Sequence, residues 1–166
     1  TLKRIACWAR RLTLGAGLLV VLLLIFRVYE TGRGPELHRW HTWVPHELTV
    51  DQLDDASYAD YLRAENRLFD EMKQQVSDQL EADEKTPLNR YYAHSMIYPG
   101  SFEHDWNRSY VLRPAGVTRG AVVLLHGLTD SPYSLRHLAE AYRQQGYVAV
   151  ALRLPGHGTV PAGLTD

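Results

Sequence analysis

The stretch AVVLLHGLTDSPYSLRHLAEAYRQQGYVAVALRLPGHGT, residues 121–159, decides the fold. Ala121–Leu125 is a continuous apolar run, the pattern of a strand covered on both faces. Ser131 stands where a helix cap is wanted, Pro132 takes the first helical position, and Ser134 shares that helix start. Leu135, Leu138, Ala139 and Tyr142 give the helix one apolar face, and Gly146 follows where a left-handed residue ends it. Tyr147–Leu152 (YVAVAL) reads as the next strand. Strand, helix and strand fit within 32 residues, a βαβ unit with a parallel strand pair. The fold class is therefore α/β. Ligands bind beyond the carboxyl ends of such strands. The two loops that follow them, His126–Pro132 and Arg153–Thr159, are expected at one rim.

Upstream, Asn107–Leu112 (NRSYVL) alternates like a further strand and is ended by Arg113-Pro114-Ala115-Gly116. With it, three parallel strands are expected over residues 107–166. Residues 47–106 read as an acidic helical extension. Thr49-x-x-Gln52 forms a capping box. Tyr58, Tyr61, Leu62, Leu68, Phe69, Met72, Val76 and Leu80 then recur at three- and four-residue steps. Such a helix docks a partner or packs on its own domain with its charges in water, and the second reading is preferred. Residues 30–46 carry His38, His41 and His46 with Trp40 and Trp43. No Cys or paired carboxylate completes a metal-ligand set, so the segment reads as a juxtamembrane linker with Trp near the headgroups.

Residues 1–29 begin with Lys3, Arg4, Arg10 and Arg11 and continue with LTLGAGLLVVLLLIF at 12–26. Fifteen helical residues reach roughly 22 Å, and flanking apolar residues and snorkelling Arg side chains extend that toward the ~30 Å hydrocarbon core. No A-x-A-like site follows, which favours an uncleaved signal anchor over a cleaved peptide. Eight consecutive Leu, Val and Ile residues, Leu18–Ile25, beside a basic flank disfavour a buried core helix. Positive charge stays inside, so the N-terminus is expected in the cytoplasm and the rest outside it. The membrane contact would run through residues 12–29. The lone Cys7 excludes an internal disulfide and precedes the apolar run, the wrong order for a lipoprotein site.

The formal net charge of -1 hides four unlike segments: +4 over residues 1–11, +1 over 12–46, -8 over 47–85 and +2 over 86–166. No concentrated basic surface marks a nucleic-acid binder. Gly156-x-Gly158 lacks the third glycine of a dinucleotide fingerprint, so neither a cofactor nor a metal is implied. Nothing in the sequence sets an oligomeric state.

LLHGLTDSPYS, followed about 20 residues later by RLPGHGT, resembles the α/β-hydrolase superfamily, and within it the bacterial lysophospholipase, monoacylglycerol lipase and carboxylesterase-like (serine aminopeptidase-like) group. The resemblance is clear over residues 107–166 and weaker back to Tyr58. It implies the first strands and helix of a larger hydrolase sheet. It also implies that the backbone N–H of Leu128 is an oxyanion-hole donor, that Gly127 lets the backbone approach substrate, and that His126, Gly156, His157 and Gly158 support the loops. The group's G-x-S-x-G nucleophile motif is absent, because no Gly here has a Ser two positions on. Nucleophile, acid and base are therefore expected beyond Asp166, and these residues alone are expected to be inactive. The implied function is a membrane-anchored serine hydrolase of esters, with lipids and acylglycerols among the candidate substrates. A non-enzymatic membrane-anchored binding module and a non-hydrolytic enzyme of haloperoxidase or lyase type are the competing readings.

Overall fold

The computed structural model describes residues 2–34 and 36–164. The chain divides into two units at Glu36–Leu37. The first is the helix α1, Leu2–Arg33, which runs past the apolar stretch and stops before Gly34 at φ +61°. Its Arg10–Arg33 portion has a mean hydropathy of 2.3. At 1.5 Å per residue these 24 residues reach about 36 Å, so the helix is long and apolar enough to cross a membrane.

The second unit begins with short helices α2 (Arg39–Thr42) and α3 (Val50–Asp54), followed by α4 (Tyr58–Gln75). The Thr49–Gln52 capping box is formed, with the Gln52 N–H donating to Thr49 Oγ1 at 3.4 Å and the Thr49 N–H to Gln52 Oε1 at 3.0 Å. The helix it opens is only five residues long. Asp54 and Asp55 sit at its carboxyl end, where negative charge opposes the helix dipole. A second box, Ser57-x-x-Asp60, then starts α4. The apolar stripe is thus carried by α4 and a following 3-10 turn, Ser77–Gln79. Leu68, Phe69, Val76 and Leu80 are buried, whereas Tyr58 is exposed.

Trp40 and Trp43 do not lie in a free linker. They pack on a core of Val76, Leu80, Tyr91, Val160 and Ala162. His38 and His46 contact Glu84 and Glu71 at 2.6 and 2.7 Å. These contacts draw the segment onto the helical extension, because burying two indoles removes a large apolar area from water.

The sheet has three strands, β1 (Tyr110–Leu112), β2 (Gly120–Leu125) and β3 (Tyr147–Leu152), in the order β1-β3-β2. β2 and β3 pair in parallel, and the helix α5 (Arg136–Gln144) crosses between them, as the sequence pattern requires. Gly146 ends α5 at φ +90°. The expectation of three parallel strands is corrected: β1 runs antiparallel to β3, pairing Tyr110 with Ala151 and Leu112 with Ala149. Residues 113–119 are too few for the dozen-residue crossover that would bring β2 back parallel to β1. Among the described residues β2 is covered on one face. Val122 and Leu124 face a core of Tyr110, Ala139, Ala149 and Ala151, while Val123 and Leu125 are 61 % and 60 % exposed. Among the described residues the helix α5 lies on the covered face of the sheet. The unit is α/β, a small mixed sheet with helices.

The Tyr110 hydroxyl donates to the Pro132 carbonyl at 3.1 Å, tying β1 to the start of the crossover. Burial pushes its pKa from 10.0 up to about 12, against a smaller opposing pull from Arg136. The folded chain therefore holds this proton more tightly. The resulting stability is complete below pH 10 and is lost as pH rises through about 12. Melting temperature is expected to fall more steeply over that window in the wild type than in Tyr110→Phe, and equal slopes would contradict this.

Candidate active site

Leu125 and Leu152 are register partners, so the 126–132 and 153–159 loops leave the sheet side by side. Two histidines join them. The Leu154 N–H donates to His126 Nε2 at 3.1 Å. A backbone N–H only donates, so Nε2 is the bare nitrogen, and the His126 Nδ1–H donates to the Gly127 carbonyl at 3.0 Å. In the other direction, His157 Nε2 lies 2.6 Å from the Leu128 carbonyl and its Nδ1 lies 2.8 Å from that of Pro155. A neutral ring carries one N–H and donates to one of the two at a time. Both rings are buried, with centroids 4.9 Å apart.

These bonds orient one peptide. The Gly127 carbonyl accepts from His126 and, at 3.2 Å, from the Asp130 N–H. The peptide plane is rigid and trans, so the Leu128 N–H, on the same plane, points the opposite way. It donates to no group among the described residues, and Leu128 is 82 % exposed. A Cβ at Gly127 would meet nothing within 4 Å, so this fold does not itself demand glycine there. Gly156 and Gly158 differ. They have φ of +79° and +74°, and a Cβ would come within 2.3 Å of the Gly163 oxygen or 2.9 Å of the Asn107 oxygen. The three loop glycines thus answer to different constraints.

Ser131 occupies the cap position but makes no cap bond, which corrects the role expected of it. Its hydroxyl donates to Asn107 Oδ1 at 3.0 Å instead, since a 3-10 turn, Pro132–Leu135, precedes α5 and the cap geometry is not formed. The Ser134 hydroxyl donates to the Ser131 carbonyl at 3.3 Å. Neither hydroxyl meets a histidine. The nearby Ser134 side chain, and then the Ser131 N–H that donates to Asp130 Oδ1 at 2.7 Å, hold the Asp130 carboxyl below the usual carboxylate range. A cavity of about 940 Å3 opens beside Asn107, with Phe102, Trp106, Leu112, Tyr133 and Arg136 in its wall, and none of His126, Leu128 or His157 lines it.

A 38-residue stretch of the chain is 55 % identical to the thermostable monoacylglycerol lipase of Bacillus sp. (strain H-257). It covers 23 % of this chain and 15 % of that lipase. No protein-family model and no solved structure matches the chain. The relationship is thus to one segment of a lipase.

The structure also brings in residues that the motifs did not single out. Arg153, whose side chain is 1 % exposed, opens the 153–159 loop between two carboxylates. Its Nη1 and Nη2 donate to Glu47 Oε1 and Oε2 at 2.7 and 2.8 Å, and its Nε donates to Glu65 Oε1 at 3.1 Å. Glu65 also accepts from the Ser109 N–H and, at 2.9 Å, from the Ser109 hydroxyl. Burial alone would lower the Arg153 pKa, but hydrogen bonds and charge from Glu47, with Tyr61 and Glu65, leave it raised. The Tyr61 hydroxyl donates to the Arg153 carbonyl. One sequence signal was present: Glu65 lies four residues from both Tyr61 and Phe69, a carboxylate on the apolar stripe of α4.

Proposed function

We propose that residues 107–166 form the oxyanion-hole portion of a serine ester hydrolase that α1 holds at a membrane. Its nucleophile, acid and base are contributed from outside residues 1–166. The observation that carries this reading is the Leu128 N–H, which points away from its engaged Gly127 carbonyl, belongs to an exposed residue and has no partner among the described residues. Ester hydrolysis passes through a tetrahedral oxyanion, and a preorganised donor that needs no reorganisation is what stabilises it. The absence of any steric demand for glycine at 127 fits a position kept open for substrate. His126 and His157 act as braces in this scheme. With both ring nitrogens of His126 engaged inside the loops, that ring is not free to take a proton from a nucleophile. The lipase-like stretch supports a lipid ester or acylglycerol as substrate. The basic flank of α1 would face the cytoplasm, placing the hydrolase outside it.

The test is full-length protein in detergent, treated with a fluorophosphonate probe and assayed on short- and long-chain p-nitrophenyl esters and a monoacylglycerol. Covalent labelling together with ester turnover is expected. Neither labelling nor turnover on any ester would sink the hydrolase reading and favour a binding role.

A further inference from the structure

The acidic extension and the catalytic rim meet at one carboxylate. Glu47, between α2 and α3, accepts from Arg153 with both oxygens, and its Oε1 also accepts from the Gly156 N–H at 2.8 Å. Arg153 Nη1 donates in turn to the His157 carbonyl at 3.1 Å. The turn carrying His157 is therefore gripped at Gly156 and at His157 itself, and a glycine at left-handed φ flanks that histidine on each side. From this gripped turn the His157 ring reaches the Leu128 carbonyl at 2.6 Å. The route runs from Glu47 through Arg153 and Gly156 to His157 and then to Leu128. Each link before the last is a hydrogen bond to backbone or a charge-assisted pair, the kind with the tightest geometry. Three of these groups, Arg153, Gly156 and His157, are buried.

We propose that Glu47 and Arg153 are positioning residues for the Leu128 peptide, acting through His157, so that the helical extension is a working part of the site rather than a tether. This rests on the reading of the Leu128 N–H as an oxyanion donor. His126 and the Asp130 N–H set the direction of that N–H through the Gly127 carbonyl, while His157 sets its place through the Leu128 carbonyl. Loss of the Glu47 carboxylate frees the second constraint and leaves the first. Misplacement of a catalytic dipole by a fraction of an ångström to one ångström reduces the chemical step far more than it reduces substrate binding.

The test uses the full-length protein with Glu47→Gln, which keeps size and removes charge, and with His157→Gln. On a soluble short-chain ester, Glu47→Gln is expected to lower kcat about tenfold or more with KM nearly unchanged. The double variant is expected to be no worse than the weaker single variant, because both cut the same route. Native amide exchange provides a second readout that needs no activity. Glu47→Gln should speed exchange in residues 126–130, which Glu47 does not touch, as well as in 154–158. Glu71→Gln removes the neighbouring His46 pair and should leave exchange in 126–130 as in the wild type. The proposal is overturned by unchanged kcat, by additive losses in the double variant, by exchange that speeds only in 154–158, or by the same speeding in Glu71→Gln. If the wild type neither labels with the serine probe nor turns over esters, the hydrolase reading fails, and the exchange experiment still decides whether Glu47 positions Leu128.

Discussion

Replacing Arg153 with methionine is expected to lower the unfolding free energy by about 3–5 kcal/mol, the usual cost of removing one partner from a buried ion pair. The guanidinium is the shared counter-charge of Glu47 and Glu65, and the Glu65 side chain is itself only 2 % exposed. Without Arg153, the Glu65 carboxylate keeps the Ser109 donors but loses its opposite charge in a site closed to water. Glu47 is 20 % exposed and can recover some hydration, so Glu65 is expected to dominate the loss. The origin of the effect is checked by removing the stranded charges as well. Arg153→Met with Glu47→Gln and Glu65→Gln should regain most of the stability, because replacing a whole buried network costs far less than breaking it. Urea unfolding of the full-length protein measures both. A loss below about 1 kcal/mol in the single variant would place Arg153 among ordinary surface pairs.

The second large effect concerns a single hydrogen. Exchanging the Gly127–Leu128 amide for an ester, by incorporating leucic acid at position 128, replaces the N–H with an oxygen and keeps the side chain. If that N–H stabilises the oxyanion, kcat for ester hydrolysis should fall about 10²- to 10³-fold, the usual cost of one such donor. KM should change little, because the ground-state carbonyl interacts weakly with a donor placed for the oxyanion. Chain made by the same route with leucine serves as the reference. Unchanged kcat would remove Leu128 from the site and send the search for a donor to other backbone groups of the two loops.

Much of the scaffold was legible because its causes are local. The βαβ unit follows from an apolar run, an amphipathic helix, a glycine at the left-handed position and a second apolar run, all within β2 to β3. The adjacency of the two loops follows from that parallel pairing. The capping box at Thr49 was legible in the same way, and the one at Ser57 carried the same signal. The antiparallel course of β1, and which face of β2 the helix α5 covers, were not visible in this way. Strand direction depends on where β3 inserts, and exposure depends on what packs above, and neither leaves a periodic trace in the strand itself.

The sequence by itself determined two adjacent strand-following loops that hold histidines and glycines, and a helix apolar enough to cross a membrane. Local propensity and hydrophobic period are sufficient for that. Only the tertiary structure decided what holds those loops in place. Arg153 meets Glu65 across 88 positions and Glu47 across 106. Any surface helix can carry a carboxylate at such positions, so neither residue announces a partner. The pairing arises when α4 and the segment before α3 close over the start of the 153–159 loop. Burial there makes an opposite charge necessary.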